Sequence, residues 1–312
     1  MADEFILETH GLTKEFAGFF AVRDVALKVR RGSIHALIGP NGAGKTTCFN
    51  LLTKFLRPSA GQILYKGQDI TAMAPADVAR LGLVRSFQIS AVFPHLTALE
   101  NVRVALQRQH GHSFDFWRSK SVLDRFNGRD ITTLAPADVA RQGLVRSFQI
   151  SAVFPHLTAL ENVRVALQRQ HGASFDFWRS KSVLDQYNHR AEQLLEDVGL
   201  SEFTATPAVE MPYGRKRALE IATTLALDPE MMLLDEPMAG MGHEDIDKIA
   251  TLIKRISAKY TILMVEHNLS VVADLSDIIT VLTRGQVLAE GNYAELSRDE
   301  RVKEAYLGAG HA

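Results

Sequence analysis

The apolar run Ile34-His35-Ala36-Leu37-Ile38 breaks into Gly39-Pro40-Asn41-Gly42-Ala43-Gly44-Lys45-Thr46-Thr47, and no other stretch constrains the fold as strongly. From Gly39 to Thr46 it fits the pattern G-x-x-x-x-G-K-[ST] without a mismatch. Residues without bulky side chains let successive backbone N–H groups turn toward one point, which makes an anion-sized nest at a helix N-terminus. In such a nest Lys45 reaches the β- and γ-phosphates as a point charge, and the Thr46 hydroxyl is placed to ligate Mg²⁺. A β-rich run precedes the loop and a helix-compatible stretch, Lys45 to Leu56, follows it, so the local context is strand, loop, helix.

Composition narrows the remaining classes. The chain has 312 residues, 46% of them hydrophobic, ample for a sizeable core. Its net charge of −1 gives no electrostatic reason to bind nucleic acid. No apolar run approaches bilayer-spanning length, and Met1-Ala2-Asp3-Glu4 lacks the basic region and apolar core of a signal peptide, so a cytosolic location is expected. Cys48 is the only cysteine, which excludes disulfide and cysteine-metal frameworks and reads as a small packed apolar residue.

A near-exact internal repeat changes the domain arithmetic. Gly67 to Asn127 and Gly128 to Asn188 align without gaps at an offset of 61 residues. The pairs that differ are Gln68/Arg129, Ala72/Thr133, Met73/Leu134, Leu81/Gln142, His112/Ala173, Arg125/Gln186 and Phe126/Tyr187. Solenoid units diverge far more than this and are usually more numerous, so the repeat reads as a recent tandem duplication inside one domain. With one copy removed, the chain has a length at which an α/β fold runs as a single domain.

Taken in order, Phe5-Ile6-Leu7-Glu8 and Val25-Ala26-Leu27-Lys28-Val29 are β-prone runs that suggest an antiparallel subsheet, and Gln62-Ile63-Leu64-Tyr65 adds a strand. Phe16 either stacks on a purine ring or packs within that subsheet. Each repeat copy carries Ala-Pro-Ala-Asp-Val-Ala-Arg, a helix start, then Gly-Leu-Val-Arg-Ser-Phe-Gln, a short strand ending in an amide. The helical run beginning Leu-Thr-Ala-Leu-Glu-Asn can be capped by its threonine. Arg190 to Leu200 reads as a helix stopped by Gly199, and Met211 to Leu227 as an amphipathic helix closed by Asp228-Pro229. Met231-Met232-Leu233-Leu234-Asp235-Glu236 and Thr261-Ile262-Leu263-Met264-Val265-Glu266-His267 read as buried parallel strands whose C-terminal ends, two acids and a histidine, face a ligand.

In this order the motifs resemble those of ABC-transporter ATPase subunits, and are most similar to the ATP-binding subunits of branched-chain amino acid importers, over nearly the whole chain. The resemblance implies an α/β fold of the P-loop NTPase kind: a RecA-like parallel sheet core, an antiparallel β subdomain, and a helical subdomain enlarged by the 61-residue tandem duplication. It implies one ATPase domain over 5–308, with a nucleotide-binding core over 5–88 and 219–308 and a helical subdomain over 89–218. Gly39, Pro40, Asn41, Gly42, Ala43, Gly44, Lys45, Thr46 and Thr47 match the Walker A loop that holds ATP, and Phe16 the aromatic stacked on adenine. Asp235 matches the Walker B carboxylate, Glu236 the general base, and His267 the histidine that senses the γ-phosphate. Gln88 and Gln149 both match the Q-loop glutamine, and Mg²⁺ falls to Thr46, Asp235 and Gln88. Gln88 is the expected working copy, because its strand follows an intact Gln62 to Tyr65 partner. Ala239-Gly240-Met241 occupies the D-loop position, and Arg298 to Gly308 resembles the subfamily's ending.

Met211-Pro212-Tyr213-Gly214-Arg215 stands where the signature Leu-Ser-Gly-Gly-Gln is expected. Pro212 lacks both the serine hydroxyl and a backbone N–H, while Gly214 remains and Arg215 brings a charge, so weakened but not absent function across a dimer is expected. The implied partners are a second ABC ATPase subunit, identical or different, two transmembrane permease subunits, and indirectly an extracytoplasmic binding protein, with no nucleic acid. The implied place is the cytoplasmic face of the inner membrane. Open beside the importer reading stand the ATPase of a urea or lipopolysaccharide system, a non-transport ABC ATPase, and an ATP-binding duplication product that no longer couples.

Overall fold

Glycine and aspartate turns divide the first third of the chain into short β-rich pieces. The computed structural model describes residues 4–86, 125–126, 129–130, 153–170 and 185–307. Its first elements are β1 (Phe5–Phe16), β2 (Phe19–Val25), β3 (Lys28–Arg30), β4 (Ile34–Ile38), α1 (Lys45–Leu52), β5 (Ala60–Tyr65), β6 (Gln68–Asp69), α2 (Pro75–Arg80) and β7 (Leu83–Ser86). Strands β2, β1, β5 and β6 lie side by side in that order with β3 on β1, which makes the expected antiparallel subsheet.

Two boundaries depart from the sequence expectation. β1 runs on to Phe16 because the turn is only Ala17-Gly18, both at positive φ (47° and 89°), a geometry suited to the twist of a tight hairpin. The second run is instead broken between Val25 and Lys28, and Thr9 bridges the break. Its hydroxyl donates to the Val25 carbonyl at 2.9 Å and accepts from Leu27 N–H at 2.9 Å, replacing ladder bonds lost there.

Two further strands, β8 (Arg125–Phe126) and β9 (Arg129–Asp130), form a hairpin in a separate compact unit, 89–152. The larger unit, 1–88 with 153–312, continues with α3 (Ala159–Gln170), α4 (Asn188–Asp197), α5 (Tyr213–Leu225), β10 (Met231–Asp235), α6 (His243–Ser257), β11 (Thr261–Val265), α7 (Leu269–Leu275), β12 (Ile278–Thr283), β13 (Gln286–Gly291), α8 (Tyr293–Leu296) and α9 (Glu300–Leu307). This unit draws β7 from the first repeat copy and α3 from the second. The expected threonine cap is present on α3: Glu161 N–H donates to Thr158 Oγ1 at 3.2 Å, and Thr158 N–H donates to Glu161 Oε2 at 2.9 Å.

The second sheet runs β13-β12-β4-β11-β10-β7, parallel throughout except for the antiparallel edge strand β13. Every residue of β4 and β11 is buried, as continuous apolar runs require when both sheet faces are covered. Phe49, Leu51 and Leu52 of α1 pack with Leu37, Leu233 and Leu263 in the core, each such side chain contributing roughly 2 kcal/mol of burial. α1 stops at Leu52, short of the expected Leu56, where Lys54 turns to φ 64°. Among the described residues no helix is long and apolar enough to cross a membrane.

Candidate functional site

Parallel strands end together, and here β4, β11, β10 and β7 are neighbours whose C-terminal ends carry most of the singled-out residues. The loop Gly39 to Gly44 leaves β4 with its backbone pressed against the rest of the fold. A Cβ on Gly39 would sit 2.2 Å from the Leu282 carbonyl oxygen, and one on Gly44 2.4 Å from that of Ala21, both at positive φ. Only glycine meets both constraints. Asn41, Gly42 and Thr46 are exposed at the mouth of the loop, Pro40 and Thr47 are half-buried, and Ala43 is buried.

Lys45 is buried and curls back onto the loop, its ammonium donating to the Gly39 and Pro40 carbonyls at 2.7 and 3.0 Å. Burial lowers its pKa, and the Glu236 and Asp235 carboxylates raise it in return. The loop lysine, Asp235 at the end of β10 and Glu236 just after it therefore share one electrostatic field.

Asp235, half-buried at the end of β10, is ion-paired with Arg85 of β7. Arg85 also donates to Asn50 Oδ1 at 2.7 Å and lies 5.5 Å over the Phe49 ring, so β7, β10 and α1 meet at this guanidinium. Glu236 follows with φ 44°, a left-handed conformation uncommon for a residue with a side chain, and its N–H donates to the Val265 carbonyl at 2.9 Å. His267 is exposed just beyond β11. The wholly buried Glu266 beside it accepts from His267 N–H at 3.2 Å and Met238 N–H at 3.0 Å. Burial raises the Glu266 pKa, and those two N–H bonds oppose the rise.

Phe16 ends β1 opposite Phe19, 45% exposed, with the Lys14 ammonium 5.0 Å from its ring centre. Pro212 and Tyr213 are exposed at the start of α5. Gly214 is buried, and a Cβ there would meet Asp245 Cγ at 2.7 Å. The Arg215 guanidinium lies 3.4 Å from the Gly199 carbonyl and 5.4 Å over the Phe203 ring. Gln88 and Gln149 lie outside the described residues. Sequence reasoning did not single out Arg85, Arg217 or Glu266. For Arg85 and Glu266 the available signal was a charged residue inside or directly closing an apolar strand, whereas Arg217, beside Arg215 and Lys216, carried none.

Comparison with known proteins bears directly on this arrangement. A family model described as ABC transporter matches residues 22–135 and again 123–239, and one described as branched-chain amino acid ATP-binding cassette transporter matches 286–312. The chain is 33% identical over 305 residues to the high-affinity branched-chain amino acid transport ATP-binding protein BraF of Pseudomonas aeruginosa, covering 97% of this chain and 98% of that one. It is 32% identical over 305 residues to the corresponding protein LivG of Escherichia coli K12, with the same coverage. Among solved structures, an ATP-binding cassette of an ABC transporter in its ADP conformation superposes with TM-score 0.67 at 24% identity, covering 97% of this chain and 99% of that one. A dimeric cassette in a post-hydrolysis state bound to ADP and Pi superposes with TM-score 0.61 at 18% identity, covering 92% and 98%. The structural matches establish the fold as that of an ATP-binding cassette.

Proposed function

The chain belongs to the ABC transporter ATPases, and we propose that within this family it is the ATP-hydrolysing motor of a branched-chain amino acid importer. It is an ATP-binding enzyme. The observation that supports the substrate class is the match over 286–312 to the model specific to branched-chain amino acid cassettes, added to 33% identity with BraF over nearly the whole chain.

In this reading Gly39 to Thr47 hold the triphosphate through backbone N–H groups and Lys45 leaves the loop carbonyls for the phosphates. Phe16 stacks on the base. Thr46 and Asp235 offer hard oxygen donors, and among the described residues no group of three or more His, Cys, Asp or Glu side chains could hold a metal alone. That donor set fits a cation shared with phosphate oxygens and water, as Mg²⁺ prefers. When bound, the ion neutralises charge on the transferring phosphoryl group. Glu236 takes the proton of the attacking water, and His267 contacts the γ-phosphate and responds to its departure. Gln88, with Gln149 as the alternative Q-loop glutamine, would add a third oxygen donor for that ion. In the same reading Pro212, Tyr213, Gly214 and Arg215 face ATP held by a second ATPase subunit.

Two permease subunits, supplied with substrate by an extracytoplasmic binding protein, would receive the resulting motion at the cytoplasmic face of the inner membrane. The core over 5–88 and 219–308 and a helical subdomain over 89–218 remain the proposed division, with the 61-residue repeat read as a tandem duplication. The larger unit takes β6, α2 and β7 from the first copy and α3 from the second, a set in which no element is doubled, which supports treating the intervening length as surplus.

Reconstitution with its co-purified permease partners tests the function. ATP-driven leucine uptake into vesicles is expected, and uptake should persist after excision of 87–147, which leaves one seamless copy. ATP hydrolysis without uptake in the full chain, restored by the excision, would identify an uncoupled duplication product. Uptake of urea instead of leucine would favour the rival transporter.

A further inference from the structure

The backbone that carries Glu236 is gripped from two sides by buried charges. From one side Arg217, 4% exposed in the first turns of α5, donates to three successive carbonyls: Nη2 to Asp235 at 2.8 Å and Glu236 at 3.0 Å, and Nε to Pro237 at 3.1 Å. Its Nη1 is ion-paired with the fully buried Glu220 one turn along the same helix. From the other side Glu266 accepts the N–H groups of Met238 and His267. Three carbonyls and one amide of a single turn are thus held by one cation and one anion, both desolvated, where such bonds are strong and costly to leave unmade. The turn needs holding, since Glu236 sits at φ 44° and relaxation to an ordinary conformation would swing its carboxylate away.

We propose that Arg217 is a positioning residue for hydrolysis: it ties the helix that begins at Pro212-Tyr213-Gly214 to the turn that aims Glu236, with Glu266 fixing the far end of that turn. The inference rests on Glu236 being the general base. Because Arg217 lies three residues after Gly214, a ligand or partner that shifts the start of α5 moves the same rigid helix that sets the Glu236 carbonyl. A carboxylate at 266 can accept from both amides at once, whereas a glutamine has one acceptor oxygen and would turn an NH₂ group against the other N–H.

Three variants in the full chain test this: Arg217→Lys, whose single ammonium cannot reach three carbonyls, Glu266→Gln, and the double variant Arg217→Met with Glu220→Met, which removes the buried pair without stranding either charge. Each is compared with Glu236→Gln for kcat, KM for ATP and equilibrium binding of a fluorescent ATP analogue. The expected result is a fall in kcat of about tenfold or more with analogue affinity and KM within about twofold of wild type, as misplacement of a reacting group gives. An unchanged kcat in all three variants, or losses of kcat matched by equal losses of nucleotide affinity, overturns the assignment. A Glu236→Gln protein that still hydrolyses ATP would overturn the general-base reading instead, whatever the other variants do.

Discussion

Arg85 and Asp235 face each other at the C-terminal ends of β7 and β10, the guanidinium on the carboxylate that is proposed to serve the metal. The pair sets a competition. Replacing Arg85 by methionine should lower the Mg²⁺ concentration for half-maximal ATPase activity several-fold, since the cation displaced from Asp235 is gone. It should also reduce stability by about 1–3 kcal/mol, because Asp235 loses a charged partner. A magnesium titration and a thermal melt on the same preparation check both.

Crowding at the phosphate loop predicts a graded glycine series. Gly39→Ala and Gly44→Ala drive a methyl group into a backbone carbonyl and should each cost more than about 2 kcal/mol and abolish ATP binding. Gly42→Ala meets nothing within 4 Å and faces only its φ of 79°, so its cost should stay near 1 kcal/mol. Denaturant unfolding and ATP binding by all three proteins read this order.

Burial pushes the imidazole of His35, inside β4, down to about 4. Its Nε2 lies 2.7 Å from Thr280 Oγ1, whose hydroxyl donates to Glu290 Oε2 at 2.6 Å, so Nε2 carries the proton of the neutral ring. The folded chain thus binds this second proton less readily than the unfolded chain, whose histidine titrates near 6.5. The associated stability is present in full above the unfolded value and is lost as pH falls toward 4, about 2 kcal/mol of it by pH 5. Unfolding free energies at pH 7.5 and pH 5 should differ by that much more in the wild type than in His35→Gln.

What could be read from the chain beforehand has a physical pattern. The phosphate loop was legible because its chemistry is local: glycines, a lysine and a hydroxyl within one turn. The ends of β10 and β11 were legible because apolar runs that close on acids or histidine mark buried strands meeting polar space. Arg85, Arg217 and Glu266 were not, since their meaning lies in partners brought together only by the fold: Asp235 beside Arg85, the carbonyls after β10 beside Arg217, Met238 N–H beside Glu266. The repeat posed a different problem. Two copies of Leu-Val-Arg-Ser offer β10 the same strand, and nothing local distinguishes them. In the structure the first copy lies beside β10, with Leu83 opposite Met231.

The central claim is that Lys45, Asp235 and Glu236 form one hydrolytic site with Glu236 as its base. Single-turnover hydrolysis of ATP by Glu236→Gln, alongside its equilibrium binding of ATP, tests that claim most directly. ATP bound as tightly as by the wild type, with hydrolysis slowed at least about 100-fold, is the predicted result. Hydrolysis at the wild-type rate would contradict the account.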